Sequence, residues 1–372
     1  MPRGADAAPF SDPPALRIVE NAPLERLNTF GVSARARRLI VLEDERQLPE
    51  ALEAMHGFHA RCVVGGGSNV LFAGDFDGAI LLVRTRGLTR VDKADAVDAV
   101  DGADGADGAC ASLSLIRAQA GEPWDSTVQW SLGQGLAGLE NLAMIPGSTG
   151  AAAIQNIGAY GVELCDRFHS LRAIDMDSGE IRHFTPADCR FGYRDSVFKQ
   201  AGGQRWLILE LILRVGHGMR PVLSYGELQA LFPNPDQPPA AIEIDRAVRA
   251  IRARKLPDPA VLGNAGSFFK NPVVAAPIAD ELARREPGLP IYSIAPDTQL
   301  VKLSAGWLID RCGWKGVRQG DAGVHAAHAL VLVNHGTATG RELLNLAELI
   351  RSSVHARFGI WLEPEPAIVG RL

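Results

Sequence analysis

Apolar and polar positions alternate along the chain with two different periods, which predicts a mixture of strands and helices. Short apolar runs predict strands at residues 39–42, 62–64, 79–83 and 206–215. Apolar residues at helical spacing predict helices at residues 47–55, 242–254 and 341–358. The last helix has Thr339 at its N-cap position and an apolar stripe made of Leu343, Ala347, Ile350, Val354 and Phe358. We therefore expect an α+β protein without a repeat of solenoid length.

Two segments lack this patterning. Residues 1–18 are polar and rich in proline and alanine, and they are predicted to form a loose tail. Residues 92–108 carry aspartate at every third position, a period that fits neither a helix nor a strand. A calcium-binding repeat is one interpretation of this segment. Because the run offers no apolar face, the pattern favours a solvated acidic insertion in a surface loop.

Composition limits the class of protein. A chain of 372 residues predicts two or three domains, and 47% hydrophobic with 22% charged residues is typical of a globular protein. No apolar run is long enough to span a membrane, and the first residues do not resemble a signal peptide, so we expect a cytoplasmic protein. The net charge of −5 argues against a nucleic-acid partner. Five scattered cysteines without a CxxC pair predict reduced thiols and no metal site.

Glycine is abundant, and the first cluster is Gly65-Gly-Gly-Ser-Asn69 between two predicted strands. A dinucleotide-binding fingerprint would need glycine where Val70 stands, and a P-loop would need a following Gly-Lys-Ser/Thr. What remains is a turn whose exposed main-chain N–H groups can bind an anion. A plain tight turn explains this cluster equally well.

The second cluster, residues 145–161, is almost free of bulky and charged side chains. Such bare main chain is used where a ligand lies directly on the backbone. Two bare stretches together suit a long ligand with a pyrophosphate and a flat ring system, as in a flavin dinucleotide. The alternative is a glycine-rich contact between a helix and a sheet.

Six stretches in order give the chain a specific resemblance. They are Asn28-Thr-Phe-Gly31, Gly65-Gly-Gly-Ser-Asn69, Ile145-Pro-Gly147 continuing through Gln155-Asn-Ile-Gly-Ala-Tyr-Gly161, Tyr193-Arg-Asp-Ser196, Gly263-Asn-Ala-Gly-Ser-Phe-Phe-Lys-Asn-Pro272 and Trp361-Leu-Glu-Pro-Glu365. With these motifs the chain resembles the UDP-N-acetylenolpyruvoylglucosamine reductase family. The resemblance implies an α+β fold: a two-subdomain FAD-binding fold of the vanillyl-alcohol oxidase type plus a C-terminal α+β substrate-binding domain. The implied boundaries are residues 19–84 plus 358–372, residues 85–256 and residues 257–357, respectively.

The resemblance also implies an activity, which is the FAD-dependent reduction of UDP-N-acetylglucosamine enolpyruvate to UDP-N-acetylmuramate with NADPH. This reaction belongs to peptidoglycan precursor synthesis. The implied cofactor-binding residues for FAD are Gly65, Gly66, Gly67, Ser68, Asn69, Ile145, Gly147, Ser148, Gly150, Ile154, Ile157 and Gly158.

The family match assigns three catalytic residues. Ser267 is the matched proton donor, Arg194 the matched cation beside the substrate carboxylate, and Glu365 the matched acid. A hydrolase nucleophile at Ser267 is disfavoured, because Phe269 stands where the Gly-Xaa-Ser-Xaa-Gly motif needs glycine. Taken alone, Arg194 could pair with Asp195, and Glu363 is the rival of Glu365.

The match further implies a nucleotide-sugar substrate whose diphosphate is bound by Tyr225, Lys255, Asn271, Tyr292 and Lys315. Tyr225 places the chain in the family branch with a substrate-capping tyrosine loop. We expect a monomer that neither binds nucleic acid nor inserts into membranes. Metal binding by His325 and His328 lacks a third ligand and is disfavoured. Two rival activities remain open: an oxidase on the same fold and a non-catalytic flavin-binding protein.

Overall fold

The structure is a computed structural model that describes residues 14–91, 112–294 and 299–370. The predicted acidic insertion at residues 92–108 and most of the predicted tail at residues 1–18 lie outside the described residues. No helix among the described residues is both long and apolar enough to cross a membrane.

The first part of the chain forms a four-stranded sheet with one helix. Its elements are β1 (Arg17–Pro23), β2 (Arg35–Leu42), α1 (Leu48–Met55), β3 (Arg61–Val64), β4 (Val70–Phe72) and β5 (Phe76–Val83). The sheet order is β1-β2-β5-β3, and β5 runs parallel to both of its neighbours. Because β5 is covered on both faces, it is almost continuously apolar and its last six residues are buried.

The second part forms a five-stranded antiparallel sheet covered by helices. Its elements are β6 (Leu88–Val91), β7 (Ser112–Gln119), α2 (Trp124–Gly133), α3 (Thr149–Gln155), β8 (Gly158–Ala159), β9 (Val162–Glu163), β10 (Phe168–Asp175), β11 (Ile181–Phe184), α4 (Pro186–Cys189), β12 (Trp206–His217), α5 (Gly226–Leu231) and α6 (Ala241–Lys255). The sheet order is β11-β10-β12-β7-β6, with α3 packed on β12 and β7. Strand β12 is therefore the central strand, and it contributes a long buried run to the core.

The third part combines two small sheets with three helices. Its elements are β13 (Gly263–Ser267), β14 (Val273–Ala275), α7 (Ala276–Arg285), β15 (Ile291–Ser293), β16 (Leu300–Leu303), α8 (Ala305–Arg311), β17 (Arg318–Gln319), β18 (Ala322–Val324), β19 (Val331–Asn334), α9 (Gly340–Phe358) and β20 (Ala367–Val369). The sheet orders are β13-β19-β18-β17 and β14-β16-β15. These elements share a core of their own, into which α8 and α9 both pack.

Short 3-10 helices connect several of these elements. They span Glu25–Leu27, Glu45–Gln47, Glu140–Leu142, Leu164–Asp166, Val197–Lys199 and Gly203–Arg205.

The last strand returns to the first part of the chain. Strand β20 pairs in parallel with β4, with Ala367 opposite Val70. The N–H of Ala367 donates to the Asn69 carbonyl at 3.0 Å, and the N–H of Ala73 donates to the Val369 carbonyl at 2.7 Å. This pairing fixes the segment just before β20 beside the glycine turn that precedes β4.

The predicted helices are confirmed. Helix α9 begins after Thr339, whose hydroxyl accepts from the Glu342 N–H at 3.2 Å while the Glu342 carboxylate accepts from the Thr339 N–H at 2.8 Å. All five residues of its predicted apolar stripe are buried, and Leu346 extends the stripe. The predicted strands are also found, most of them one to three residues longer than the apolar runs indicate, since strand pairing continues into polar positions.

Candidate active site

A cavity of about 800 Å³ lies where the three parts of the chain meet. Its wall comes from the β3–β4 turn, residues 145–158, residues 194–199, residues 265–270 and residues 364–370. The wall therefore brings together segments that are far apart in the sequence.

All twelve residues predicted to bind the cofactor line this cavity, and so do Arg194, Ser267 and Glu365. By contrast, the five residues predicted to bind the substrate diphosphate do not belong to the cavity wall among the described residues.

The two glycine-rich stretches touch each other through their main chains. A Cβ added to Gly66 would lie 2.7 Å from the Cα of Gly147, a distance that real Cβ atoms do not reach. Gly67 has a positive φ of 66°, and its carbonyl accepts from the Thr29 N–H at 3.0 Å. The glycines of the first stretch are therefore needed for close approach and for the turn itself.

The second stretch contains a helix packed closely on the sheet. A Cβ on Gly150 of α3 would lie 2.8 Å from the Cβ of Ala120. The helix ends at Asn156, whose φ of 43° is left-handed and whose side chain donates to the Gly192 carbonyl at 2.9 Å. Part of this stretch thus makes the helix–sheet contact that the sequence left as an alternative, while Gly147 and Gly158 border the cavity.

An irregularity in strand β13 determines the position of Ser267. The register between β13 and β19 shifts between Asn264 and Ser267, and Gly266 has a positive φ of 68°. The buried Asn264 side chain accepts from the Gly266 N–H at 2.8 Å and holds this bend. Phe268 and Phe269 are fully buried behind it. Within the described residues the Ser267 hydroxyl has no hydrogen bond to another protein group, so it is available to a ligand in the cavity.

Arg194 and Glu365 form an ion pair in the cavity wall. Their Nε and Oε1 atoms lie 3.3 Å apart, and the two side chains are 19% and 17% exposed. Arg194 Nη2 also donates to the Gly158 carbonyl at 2.7 Å. Asp195, the alternative partner of Arg194, makes no ion pair with it among the described residues.

Glu363, the rival of Glu365, is not part of the cavity wall. Its side chain is 75% exposed and its Oε2 lies 3.4 Å from Lys270 Nζ. The two carboxylates are thus distinguished by their surroundings, since Glu365 alone of the two belongs to the cavity wall.

The polar wall residues without a role assigned from the sequence include Gln155, Lys199 and Lys270. Gln155 Nε2 donates to Glu365 Oε1 at 2.8 Å, and Lys199 Nζ donates to Gln155 Oε1 at 2.9 Å. Burial lowers the pKa of Lys199, and the nearby charge of Lys270 lowers it further.

Composition holds a signal that could have found these lysines. Of the 38 lysines and arginines only six are lysines, at positions 93, 199, 255, 270, 302 and 315. Lys199 and Lys270 line the cavity, and Lys302 lies 4.5 Å from the ring centre of Tyr193, the neighbour of Arg194. Two of the six lysines thus line the cavity wall, so the scarce residue type is a compositional pointer to the site.

Arg252 of α6 is a further cation of the wall that the sequence analysis missed. Burial lowers the pKa of its guanidinium, and its buried Nε has no hydrogen-bond partner among the described residues. A buried unpaired donor is unfavourable unless a ligand satisfies it. Together with the bare main chain at Gly66 and Gly147, this donor fits a polar, flat cofactor such as a flavin.

Four of the five predicted substrate residues have other partners in this structure, and the fifth, Tyr292, is exposed. The Tyr225 ring meets the Tyr160 ring edge-on at 5.3 Å, and Lys255 Nζ lies 2.9 Å from the Glu227 carboxylate. Asn271 Oδ1 accepts from the Ala305 N–H at 3.0 Å. Tyr292 is 46% exposed, and Lys315 is 3.9 Å from Asp310. For Lys255 and Lys315, the proposed role requires the ammonium group to leave the carboxylate that it faces when a ligand binds.

His325 and His328 do not belong to a metal cluster. No group of three or more potential ligands is placed to hold a metal ion in the part of the chain that the structure describes. Burial lowers the pKa of His328, and the charges of Lys255, His325 and Lys315 lower it further. His328 is thus close to two of the lysines predicted to bind the diphosphate.

Comparison with known proteins identifies the family. A profile described as FAD binding domain matches residues 36–185, and one described as UDP-N-acetylenolpyruvoylglucosamine reductase, C-terminal domain, matches residues 258–369. The chain is 50% identical to UDP-N-acetylenolpyruvoylglucosamine reductase of Pseudomonas aeruginosa over 354 residues, covering 95% of this chain and 99% of the relative.

The chain belongs to the UDP-N-acetylenolpyruvoylglucosamine reductase family.

Other relatives and a solved structure agree with this assignment. Reductases of the same name from Paraburkholderia phymatum and Azoarcus sp. are 47% and 49% identical, and each alignment covers 96% of this chain and 99% of the relative. The crystal structure of UDP-N-acetylenolpyruvylglucosamine reductase from Thermus caldophilus has a TM-score of 0.61 at 23% identity, covering 95% of this chain and 99% of that chain. This likeness shows the shared fold.

Several predictions from the sequence are thereby confirmed. The α+β fold with an FAD-binding part and a C-terminal domain agrees with both profiles and with the solved structure. The predicted cofactor, FAD, agrees with the FAD binding domain, and the predicted class of enzyme, a flavin-dependent oxidoreductase, agrees with the family. The individual site residues stay predictions.

Replacing Gly66 tests the close approach of the two glycine-rich stretches in this reductase. A Gly66→Ala substitution forces the Gly147 main chain away, and overpacking of this kind costs about 1–3 kcal/mol. We expect FAD binding to weaken roughly tenfold or more, measured as the flavin-to-protein ratio after dialysis. The matched control is Gly133→Ala, because a Cβ there meets nothing within 4 Å. An unchanged flavin ratio in Gly66→Ala would contradict the packing argument.

The depressed pKa of His328 predicts a pH effect on the stability of the reductase. Below the ordinary histidine pKa of about 6.5, the unfolded chain binds a proton that the folded chain resists, so stability falls as the pH falls. A His328→Gln variant removes this contribution. Between pH 7 and pH 5 the free energy of unfolding of this variant should therefore fall less steeply than that of the wild type. The two slopes should differ by at most about 1.4 kcal/mol per pH unit. Urea unfolding at several pH values measures this, and equal slopes would refute it.

Proposed function

We propose that this chain reduces the enolpyruvyl group of UDP-N-acetylenolpyruvoylglucosamine to give UDP-N-acetylmuramate, with FAD as the bound cofactor and NADPH as the hydride source. The observation that carries this proposal is a single cavity wall containing both glycine-rich stretches together with Arg194, Ser267 and Glu365. In the balanced reaction NADPH becomes NADP⁺, and a hydride and a proton are added across the carbon–carbon double bond.

The residues present fit the cofactor. The main chain of residues 65–69 and of residues 147–150 would hold the pyrophosphate, and Arg252 would donate to a polar edge of the flavin ring. When bound, FAD supplies the hydride chemistry, taking a hydride from NADPH and giving it to the methylene carbon of the substrate. The protein contributes binding, orientation and the proton.

Arg194 would bind the substrate carboxylate. Its guanidinium offers several donors, and hydride addition at the methylene carbon builds negative charge on the carboxylate side that these donors stabilise. The residue has a left-handed main chain with a φ of 54°, which is uncommon outside glycine. Its hydrogen bond to the Gly158 carbonyl holds this orientation, and a Cβ on Gly158 would lie 3.0 Å from Arg194 Nη1.

Ser267 would protonate the carbon next to the carboxylate. An isolated hydroxyl is a weak acid, so it transfers its proton only to a strongly basic developing carbanion held close by. The bend at Gly266 and the two buried phenylalanines fix its position. Because the hydroxyl has no acceptor among the described protein groups, its proton is free for the substrate.

We assign the binding of the substrate diphosphate to the five residues predicted from the sequence, which are Tyr225, Lys255, Asn271, Tyr292 and Lys315. Their support is the family motif and the cations Lys255 and Lys315 that lie around His328. A local group of cations also explains how a chain with a net charge of −5 could attract a doubly charged anion. We further propose that the enzyme acts as a monomer in the cytoplasm, in the synthesis of peptidoglycan precursors.

Flavin absorbance distinguishes this function from its rivals. NADPH should bleach the bound flavin, and the enolpyruvyl nucleotide should restore the colour in the absence of oxygen. An oxidase would instead recover rapidly in air without that substrate. A non-catalytic flavin protein would not be bleached at catalytic rates.

Removing the Ser267 hydroxyl tests the proton donor. Ser267→Ala should still be bleached by NADPH, because hydride transfer from NADPH needs no proton from this side chain. Recovery on adding substrate should slow by about 10²- to 10⁴-fold, the usual contribution of general acid catalysis. Anaerobic stopped-flow absorbance measures both steps. Recovery at the wild-type rate would show that Ser267 is not the donor.

A further inference from the structure

A chain of side-chain hydrogen bonds leads from Lys199 through Gln155 to Glu365. Lys199 Nζ lies 2.9 Å from Gln155 Oε1, and Gln155 Nε2 lies 2.8 Å from Glu365 Oε1. Lys199 Nζ also donates to the main-chain carbonyl of Arg194 at 3.1 Å. All four residues line the same cavity.

Lys199 fixes the orientation of the Gln155 amide in this series of hydrogen bonds. An ammonium group only donates hydrogen bonds, so the Gln155 atom that faces Lys199 has to be the carbonyl oxygen. The amide NH₂ of Gln155 is then turned towards Glu365. Lys199 thereby determines that Gln155 presents a donor, and never an acceptor, to the carboxyl group.

This arrangement distinguishes the two oxygens of Glu365. Oε1 accepts from Gln155 Nε2 at 2.8 Å and lies 3.3 Å from Arg194 Nε. Among the described residues, no protein group forms a hydrogen bond with Oε2. A proton on Oε1 would displace the hydrogen bond from Gln155, whereas a proton on Oε2 would displace no hydrogen bond.

We propose that Lys199 is a positioning residue, which acts through Gln155 to keep Glu365 Oε1 as an acceptor and to leave Oε2 as the atom that forms a hydrogen bond with the bound substrate or water. The proposal rests on the proposed function, because it assumes that Glu365 takes part in reducing the enolpyruvyl group.

The surroundings of Lys199 support this role. Its ammonium faces the cations Lys270 and Arg194 and the carboxylates Glu365 and Asp195. Burial lowers its pKa, and the charge of Lys270 lowers it further. The half-buried Lys199 side chain has two hydrogen-bond partners, and both are parts of the site. The same ammonium steadies the left-handed main chain of Arg194 through its carbonyl.

The identity of the side chain also supports it. Only six of the 38 basic residues are lysines, so lysine at position 199 departs from the arginine usage of the chain. A compact ammonium can donate to the Gln155 oxygen and the Arg194 carbonyl from one point in space. A planar guanidinium is wider and directs its donors in a fixed fork.

A double-mutant cycle tests whether Lys199 acts through Gln155. The flavin-loaded variants Lys199→Met and Gln155→Leu and the double variant are compared in two separate steps: bleaching by NADPH and recovery with the enolpyruvyl nucleotide. Each single variant should slow recovery on the order of 10- to 100-fold, since misplaced catalytic groups cost about that much. The double variant should be slower than the worse single variant by no more than about twofold, because both remove one chain of bonds. In all three variants, the rate of bleaching by NADPH should change far less than the rate of recovery.

The matched control removes the same charge from the same cavity without touching Gln155. Lys270 has Glu363 as its partner, so the effects of Lys270→Met and Gln155→Leu on recovery should multiply to within about twofold. If the effects of Lys199→Met and Gln155→Leu multiply in the same way, Lys199 does not act through Gln155. Recovery of Lys199→Met at the wild-type rate would also overturn the proposal.

A spectroscopic measurement tests directly whether Lys199 orients the side-chain amide of Gln155. In flavin-loaded protein labelled with [¹⁵N]glutamine, the side-chain NH₂ signal of Gln155 is identified by its absence from Gln155→Leu. It should shift in Lys199→Met and stay in place in Lys270→Met, and an unshifted signal in Lys199→Met contradicts the proposal. If wild-type enzyme is not reoxidised by the enolpyruvyl nucleotide, the proposed function fails first. The amide signal then still reports whether Lys199 orients Gln155.

Discussion

The main chains of Gly66 and Gly147 lie against each other, and the remainder of the site is arranged around that contact. One residue comes from the turn after β3 and the other from the loop before α3, so the contact joins two different sheets. A Cβ at Gly66 would meet the Gly147 main chain, one at Gly147 would meet the Ser68 hydroxyl, and both positions border the cavity. Bare main chain therefore does two things here: it lets the sheets approach, and it leaves this part of the cavity wall free of bulky side chains.

The third part of the chain reaches this contact by two routes. Strand β20 pairs with β4 and thereby brings Glu365 beside the glycine turn. The main chain of residues 268–270 pairs with that of residues 363–365, with the Glu365 N–H donating to the Phe268 carbonyl at 2.8 Å. Ser267 and Glu365 are thus fixed relative to each other by backbone hydrogen bonds, which are less adjustable than side-chain contacts. The cavity wall also contains the cations Arg194, Lys199, Lys270 and Arg252, and Glu365 is its one carboxylate among the described residues, which suits the cavity to anionic ligands.

Local patterns predict the elements of this fold, but they do not predict contacts between distant residues. The apolar stripe and the N-cap of α9 depend on neighbours in the sequence, and both appear in the structure. The glycine-rich stretches could be assigned to a ligand cavity because so much bare main chain has few other uses. Gln155 and Lys199 gave no local signal, since their role depends on partners up to 210 positions away. The scarcity of lysine is the compositional feature that points to Lys199 and Lys270.

A crystal structure of the chain with FAD bound tests the central claim most directly. The account predicts the pyrophosphate against the main-chain N–H groups of residues 65–69 and 147–150, with the flavin ring in contact with the Ser267 hydroxyl. A flavin bound outside this cavity, or a ring that leaves Ser267 out of contact, would contradict the account.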